Sequence, residues 1–221
     1  MHVKDFYEKH LTILHIIILL ALSLLAGAYF LLISGGGALD ISPDSPIYVS
    51  MSQSFLEGQG FRHLYNEPWN DLYKPHVSHY PPGYPLLLAG STILGFDVRS
   101  SEFVMVHALL LSATIFLTAL ITRQLKVPFL ISIFSIPLMV ANQAVFPRFI
   151  YLLSEPLFLP LILGATFFLL EYYQKNNSYL LIISGFLVGL AWITRYAAIS
   201  IVPTMIVIVL LAGNVHLRNG W

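Results

Sequence analysis

Residues 11–33 read LTILHIIILLALSLLAGAYFLLI, a run of 23 residues with no charge and a single histidine, His15. At 1.5 Å per residue a helix of that length reaches about 35 Å, enough for the roughly 30 Å hydrocarbon core of a bilayer. The run is too long for the apolar region of a cleavable signal peptide, and no small-residue cleavage site follows it. It is therefore read as a retained membrane span. The rest of the chain has the same character: 57% of the 221 residues are hydrophobic, 10% are charged, and the mean hydropathy is +0.77. A soluble domain averages about 25% charged residues, so this chain lacks the polar surface to cover a water-soluble globule.

Further apolar runs cover residues 103–121, 127–146, 151–170, 179–193 and 196–212. The last two are short and separated by Thr194 and Arg195, yet together exceed one crossing, so a tight hairpin is expected near Arg195. The expected fold is all-α, a polytopic membrane protein with about six spans forming one domain over residues 1–221. Six spans put both termini on one side. The segments on that side carry Lys4, Lys9, Arg123, Lys126, Lys175 and Arg218 against Asp5, Glu8 and Glu171, an excess of positive charge. The opposite side carries five basic against eight acidic residues. Short basic loops stay in the cytoplasm, so the termini are expected there and residues 34–102 form a long outer loop.

Within that loop Asp44-Ser45-Pro46 has the chemistry of a helix start, and Gly58-Gln59-Gly60 of a helix stop. The apolar residues Ile47, Met51, Phe55 and Leu56 between them suit a helix lying in the membrane interface. A polar stretch, residues 62–79, precedes Tyr80-Pro81-Pro82-Gly83-Tyr84 and an apolar run to Phe96 that is too short to cross, which reads as a second interfacial helix.

Equal numbers of basic and acidic residues leave no cationic excess for nucleic acid, and the absence of cysteine excludes disulfides, thiolate metal sites and cysteine nucleophiles. Ionisable groups at or inside a bilayer are costly and mark candidate functional positions. Asp44 serves as a helix cap in the plainest reading. Glu155, in the apolar setting Leu152-Leu153-Ser154-Glu155-Pro156-Leu157, is either a helix N-terminal acid or a site residue. Arg195 either snorkels to headgroups or faces an anion. His76 and His79, three apart, offer with Asp40 or Asp44 the N and O donors of a divalent-cation site, although paired loop histidines more often bind nothing.

In order within one outer loop stand Asp44-Ser45-Pro46-Ile47-Tyr48, then Leu56-Glu57-Gly58-Gln59-Gly60-Phe61, then Tyr80-Pro81-Pro82-Gly83-Tyr84-Pro85. Later come Leu153-Ser154-Glu155-Pro156-Leu157 and Ile193-Thr194-Arg195-Tyr196. This pattern resembles the membrane glycosyltransferases of the GT-C class, in the branch of protein O-mannosyltransferases and aminoarabinose transferases (glycosyltransferase family 39-like). The chain departs from it at Ser45, where the family carries a second acidic residue. It also has fewer expected spans than family members, so it is expected to correspond to their N-terminal part.

The resemblance implies transfer of a sugar, with inversion, from a polyprenyl-phosphate donor to a hydroxyl of a protein, lipid or glycan acceptor at the outer face of the cell (inner) membrane. It implies Asp44 as the base and Glu155 as a second carboxylate orienting the acceptor or a metal. Arg195 would meet the donor phosphate, helped by Arg148 and Lys74, and Tyr48, His79 and Tyr80 would line the substrate site. No cofactor is required by such a reaction, and a divalent metal is the one candidate, with Asp40, His76 and His79 as its ligands. Two other classes compete. A small transporter would show inverted repeats and broken helices near the midplane, and no half-to-half similarity is present. A non-catalytic lipid-binding subunit would share the same spans without the chemistry.

Overall fold

The computed structural model describes residues 3–62, 77 and 79–218. Eight α-helices follow one another: α1 (Val3–Ile33), α2 (Ser45–Leu56), α3 (Gly83–Ile93), α4 (Glu102–Gln124), α5 (Phe129–Ala141), α6 (Glu155–Lys175), α7 (Ser178–Thr194) and α8 (Ile201–Arg218). Short 3-10 turns lie at Phe146–Phe149 and Tyr196–Ser200. Among the described residues there is no strand, only an isolated parallel bridge between Asp40 and Tyr151. The all-α expectation holds. Among the described residues three helical stretches are long and apolar enough to cross a membrane: His10–Ile33, Glu102–Gln124 and Glu155–Lys175.

The apolar runs and the helices do not coincide at every end. The run at 127–146 yields only the 13 residues of α5, which rise about 20 Å. Pro128 precedes the helix, Pro137 interrupts its hydrogen bonding from within, and Asn142 leaves it in an extended conformation. The run at 151–170 becomes helical only at Glu155, because Tyr151 and Leu152 are taken by the bridge to Asp40: Asp40 N–H donates to Ile150 O at 2.9 Å, and Leu152 N–H donates to Asp40 O at 3.0 Å. The helix through 179–193 ends at Thr194, where Arg195 adopts an extended conformation with φ −150° and ψ 128°. Asn177 caps its start by accepting from the Tyr179 N–H.

Helix α4 is the centre of the bundle and packs against α1, α5 and α6. Phe103, Val104, Leu111, Ile115 and Ala119 are buried along it. Helix α1 approaches it closely at Gly27, where a Cβ would run into the Ser112 hydroxyl and lie 2.9 Å from Ala108 O. Small residues permit such backbone approach in membrane helices. His15 of α1 stacks on Phe129 of α5 at a centroid distance of 3.7 Å. Leu25, Leu32, Phe134, Leu138 and Phe186 stay exposed, the surface expected of helices solvated by lipid. At the far end of the bundle from Ile33, Gln124 donates to Glu171 at 2.6 Å, Glu171 pairs with Lys175, and Arg123 donates to Thr12 O at 3.1 Å.

Helices α2 and α3 pack on one another and, through α3, on α7. The face of α2 turned inward is Ser45, Tyr48, Met51 and Ser52, whereas Phe55 and Leu56 remain exposed. Ser45 is the staple: its hydroxyl donates to Leu152 O at 2.8 Å and its oxygen accepts from the Ser42 N–H at 2.8 Å. Tyr84 of α3 is fully buried, and its phenol bonds His107 Nε2 of α4 at 2.9 Å. His107 Nδ1 lies 2.8 Å from Phe149 O, which can only accept, so Nδ1 carries the proton and Nε2 receives it from Tyr84. These bonds fix the segment after α1 and the segment before α6 over the same end of the bundle.

Candidate active site

A cavity of ≈ 260 Å³ opens at that end, lined by Asp44, Tyr48, His79, Tyr80, Ser154 and Arg195 together with Pro81, Thr194, Tyr196 and Ala197. Four separate stretches of sequence build it: the start of α2, the loop before α3, the start of α6, and the break between α7 and α8.

Asp44 occupies the N-cap position of α2, but its side chain makes no capping bond. Its backbone oxygen closes the first turn by accepting from Ile47 and Tyr48 N–H. The carboxylate instead accepts from the Tyr80 phenol at 2.8 Å on Oδ1, and Oδ2 has no hydrogen bond among the described residues. The plain capping role expected from Asp-Ser-Pro is therefore not what this side chain does. The bond to Asp44 raises the pKa of Tyr80 above its ordinary value, with burial adding to it, so the phenol stays a donor. Tyr48 stands edge-on to Tyr80 and Tyr84, with centroids 5.4 and 5.2 Å apart. Its pKa is also raised, by burial first and by the Asp44 charge after that, against the opposing effect of its bond to Ser154.

Ser154, fully buried, accepts from Tyr48 at 3.2 Å and from Arg195 Nη1 at 3.1 Å. The same Nη1 lies 2.8 Å from Glu155 Oε2 in an ion pair that is partly exposed on both sides. Glu155 is thus at once the first-turn acid of α6 and the counter-ion of Arg195. Sequence reasoning singled out Glu155 and Arg195 and gave Ser154 no role of its own. In the fold Ser154 makes no capping bond and joins the two cavity walls. Nothing in sequence signals this, because its partners lie 106 and 41 residues away.

Arg148 and Asp40 are not drawn in. Arg148 sits exposed in the 3-10 turn and does not line the cavity. Asp40 is exposed and engaged through its backbone. Lys74 and His76 lie outside the described residues. Among the described residues no three His, Asp or Glu side chains come together to hold a metal ion. Asp44 Oδ1 is taken by Tyr80, and Glu155 is paired with Arg195.

Among the described residues the cavity therefore presents one carboxylate oxygen without a partner, a tyrosine hydrogen-bonded beside it, and a guanidinium only part of whose fork is used. A carboxylate and a guanidinium share one small space at the end of the membrane-length helices. No family model, curated protein or solved structure matches this chain.

Proposed function

We propose that the chain is a membrane glycosyltransferase that moves a sugar from a polyprenyl-phosphate donor to an acceptor hydroxyl at the outer face of the cell membrane. The observation that carries this reading is the convergence of Asp44 and Arg195, 151 positions apart in sequence, on one cavity. In the proposed reaction the acceptor oxygen attacks the anomeric carbon on the face opposite the lipid phosphate. Asp44 takes the hydroxyl proton as the new bond forms. The bond from the anomeric carbon to the phosphate oxygen breaks with its electron pair on that oxygen, and the configuration inverts. Arg195 stabilises the charge that collects on the phosphate, through parallel N–H donors that suit phosphate oxygens. A phosphate is already a good leaving group, so no general acid is required.

The same reading takes six crossings, the three membrane-length helices with α5, α7 and α8, and places residues 34–102 outside with the termini in the cytoplasm. Helices α2 and α3 then lie in the outer interface, where the donor's isoprene tail stays in lipid while its sugar enters the cavity. The test is sugar transfer in proteoliposomes supplied with polyprenyl-phosphate sugars and hydroxyl acceptors. Asp44→Asn keeps the shape of the side chain and removes the base, so transfer is expected to fall roughly 100-fold or more. Near-normal turnover by the folded Asn variant overturns the assignment.

A further inference from the structure

A second and larger cavity, ≈ 590 Å³, lies on the other side of α2 and has no part in the reaction proposed above. Its walls are mostly apolar, among them Leu39, Ile41, Val49, Val98 and Leu152, and Arg99 stands in the lining. A volume within about 300–1,000 Å³, apolar walls and few polar groups are the features of a small-molecule site. Its position narrows the class of ligand. Leu39 and Ile41 follow the end of α1, Val98 and Arg99 precede the start of α4, and Leu152 precedes the start of α6. The cavity is therefore bounded by the same-side ends of all three membrane-length helices, at the level where hydrocarbon gives way to headgroups.

Charge narrows it further. Asp97 Oδ1 accepts from the backbone N–H of Arg99 at 2.9 Å, while the exposed Arg99 guanidinium makes no ion pair or hydrogen bond among the described residues. Apolar walls beside an uncommitted cation complement an amphiphile with an anionic head. We infer that this cavity holds one anionic phospholipid of the surrounding bilayer, with acyl chain against the apolar wall and headgroup phosphate at Arg99. Helix α2 is the partition between the two cavities. Pro46, Val49 and Gln53 of α2 face the lipid site at helical spacing, and Asp44 and Tyr48 face the other. The bound lipid would thus brace the wall that carries Asp44.

The chain has no native cysteine, so an environment-sensitive fluorophore on Ser101→Cys, an exposed position two residues from Arg99, reports on the site alone. The protein is placed in phosphatidylcholine nanodiscs containing brominated phosphatidylglycerol or brominated phosphatidylcholine as quencher. Phosphatidylglycerol is expected to reach half-maximal quenching at a roughly fivefold lower fraction, the effect of one basic side chain near an anionic lipid surface. Arg99→Gln should abolish that preference, and Val49→Trp, which fills the cavity, should weaken quenching by both lipids. Equal quenching by the two lipids, or an undiminished preference in the Gln variant, overturns the inference. Displacement of the quencher by polyprenyl phosphate but not by unbrominated phosphatidylglycerol also overturns it. No sugar transfer is measured, so failure here leaves the proposed reaction standing, and failure of that reaction leaves this site standing.

Discussion

Arg195 divides one nitrogen between Ser154 Oγ and Glu155 Oε2, which holds the guanidinium at the cavity wall without using its whole fork. A lysine keeps the charge but has no planar pair of donors, so Arg195→Lys is expected to weaken binding of a polyprenyl-phosphate sugar nearly as much as Arg195→Ala. An equal affinity for wild type and the lysine variant would return Arg195 to the role of membrane anchor, because lysine snorkels as well as arginine. The tyrosines around Asp44 make a second expectation. Burial pushes Tyr84 well above the ordinary phenol value, burial raises Tyr48, and the Asp44 bond raises Tyr80. A pKa raised in the folded state means stability that is fully present below the unfolded value of about 10 and lost as pH rises through the folded values. Alkaline titration followed by tyrosinate absorbance should show a late fraction that appears together with unfolding, and Tyr84→Phe should remove part of it. Titration of every phenol near pH 10 in the folded protein would contradict this. At this scale the sequence disclosed residue types but not their partners. Glu155 and Arg195 stood out as charges beside apolar runs and Asp44 as a helix start, whereas Ser45 and Ser154, ordinary serines by any local measure, gain their roles from atoms about a hundred residues away.

Between elements, the closest approach at the site is that of α3 to the end of α7. A Cβ on Gly83 would stand 2.6 Å from Thr194 Oγ1 and 2.7 Å from Ile193 O, and a backbone oxygen cannot step aside as a flexible side chain can. Gly83→Ala should therefore destabilise by about 1–3 kcal/mol, the usual cost of overfilling a packed contact. It should also move Tyr80 and Tyr84, which flank it, so sugar transfer should fall by more than the stability loss explains. Thermal unfolding and transfer measured on the same preparation test both parts. An Ala variant with unchanged melting temperature would mean that the approach is looser than it stands here. The helices themselves were legible because long apolar runs have few alternatives: α4 closely follows the run at 103–121, and α1 ends with its run at Ile33, although it begins earlier, at Val3. Their neighbours were less so. Hydropathy counts apolar residues and is blind to Pro137 inside α5 and to the bridge that delays α6 to Glu155.

For the whole molecule, orientation rests on the distribution of charge rather than on any contact. At the end of the bundle where α1 begins, helix ends and loops hold six basic residues, Lys4, Lys9, Arg123, Lys126, Lys175 and Arg218, against three acidic, Asp5, Glu8 and Glu171, and the rest of the chain holds five against eight. A basic excess in short loops sets the cytoplasmic side. The fold adds that the acidic side is also the side of the cavity, with Asp44, Glu155 and Arg195 gathered over the ends of α1, α4 and α6. The cysteine-free sequence makes the orientation directly measurable. Gln59, after α2, and Gln174, near the end of α6, are both exposed and lie toward opposite ends of the bundle. In intact cells a membrane-impermeant thiol reagent is expected to label Gln59→Cys at once and Gln174→Cys only after permeabilisation. The reverse pattern would put the cavity in the cytoplasm, where a nucleotide sugar rather than a lipid-linked donor is at hand, and would remove the main reason for a polyprenyl-phosphate substrate. Labelling of both sites in intact cells would mean that α4, α5 and α6 do not make the three crossings between them, and the six-span arrangement would fall even if the cavity and its residues stood.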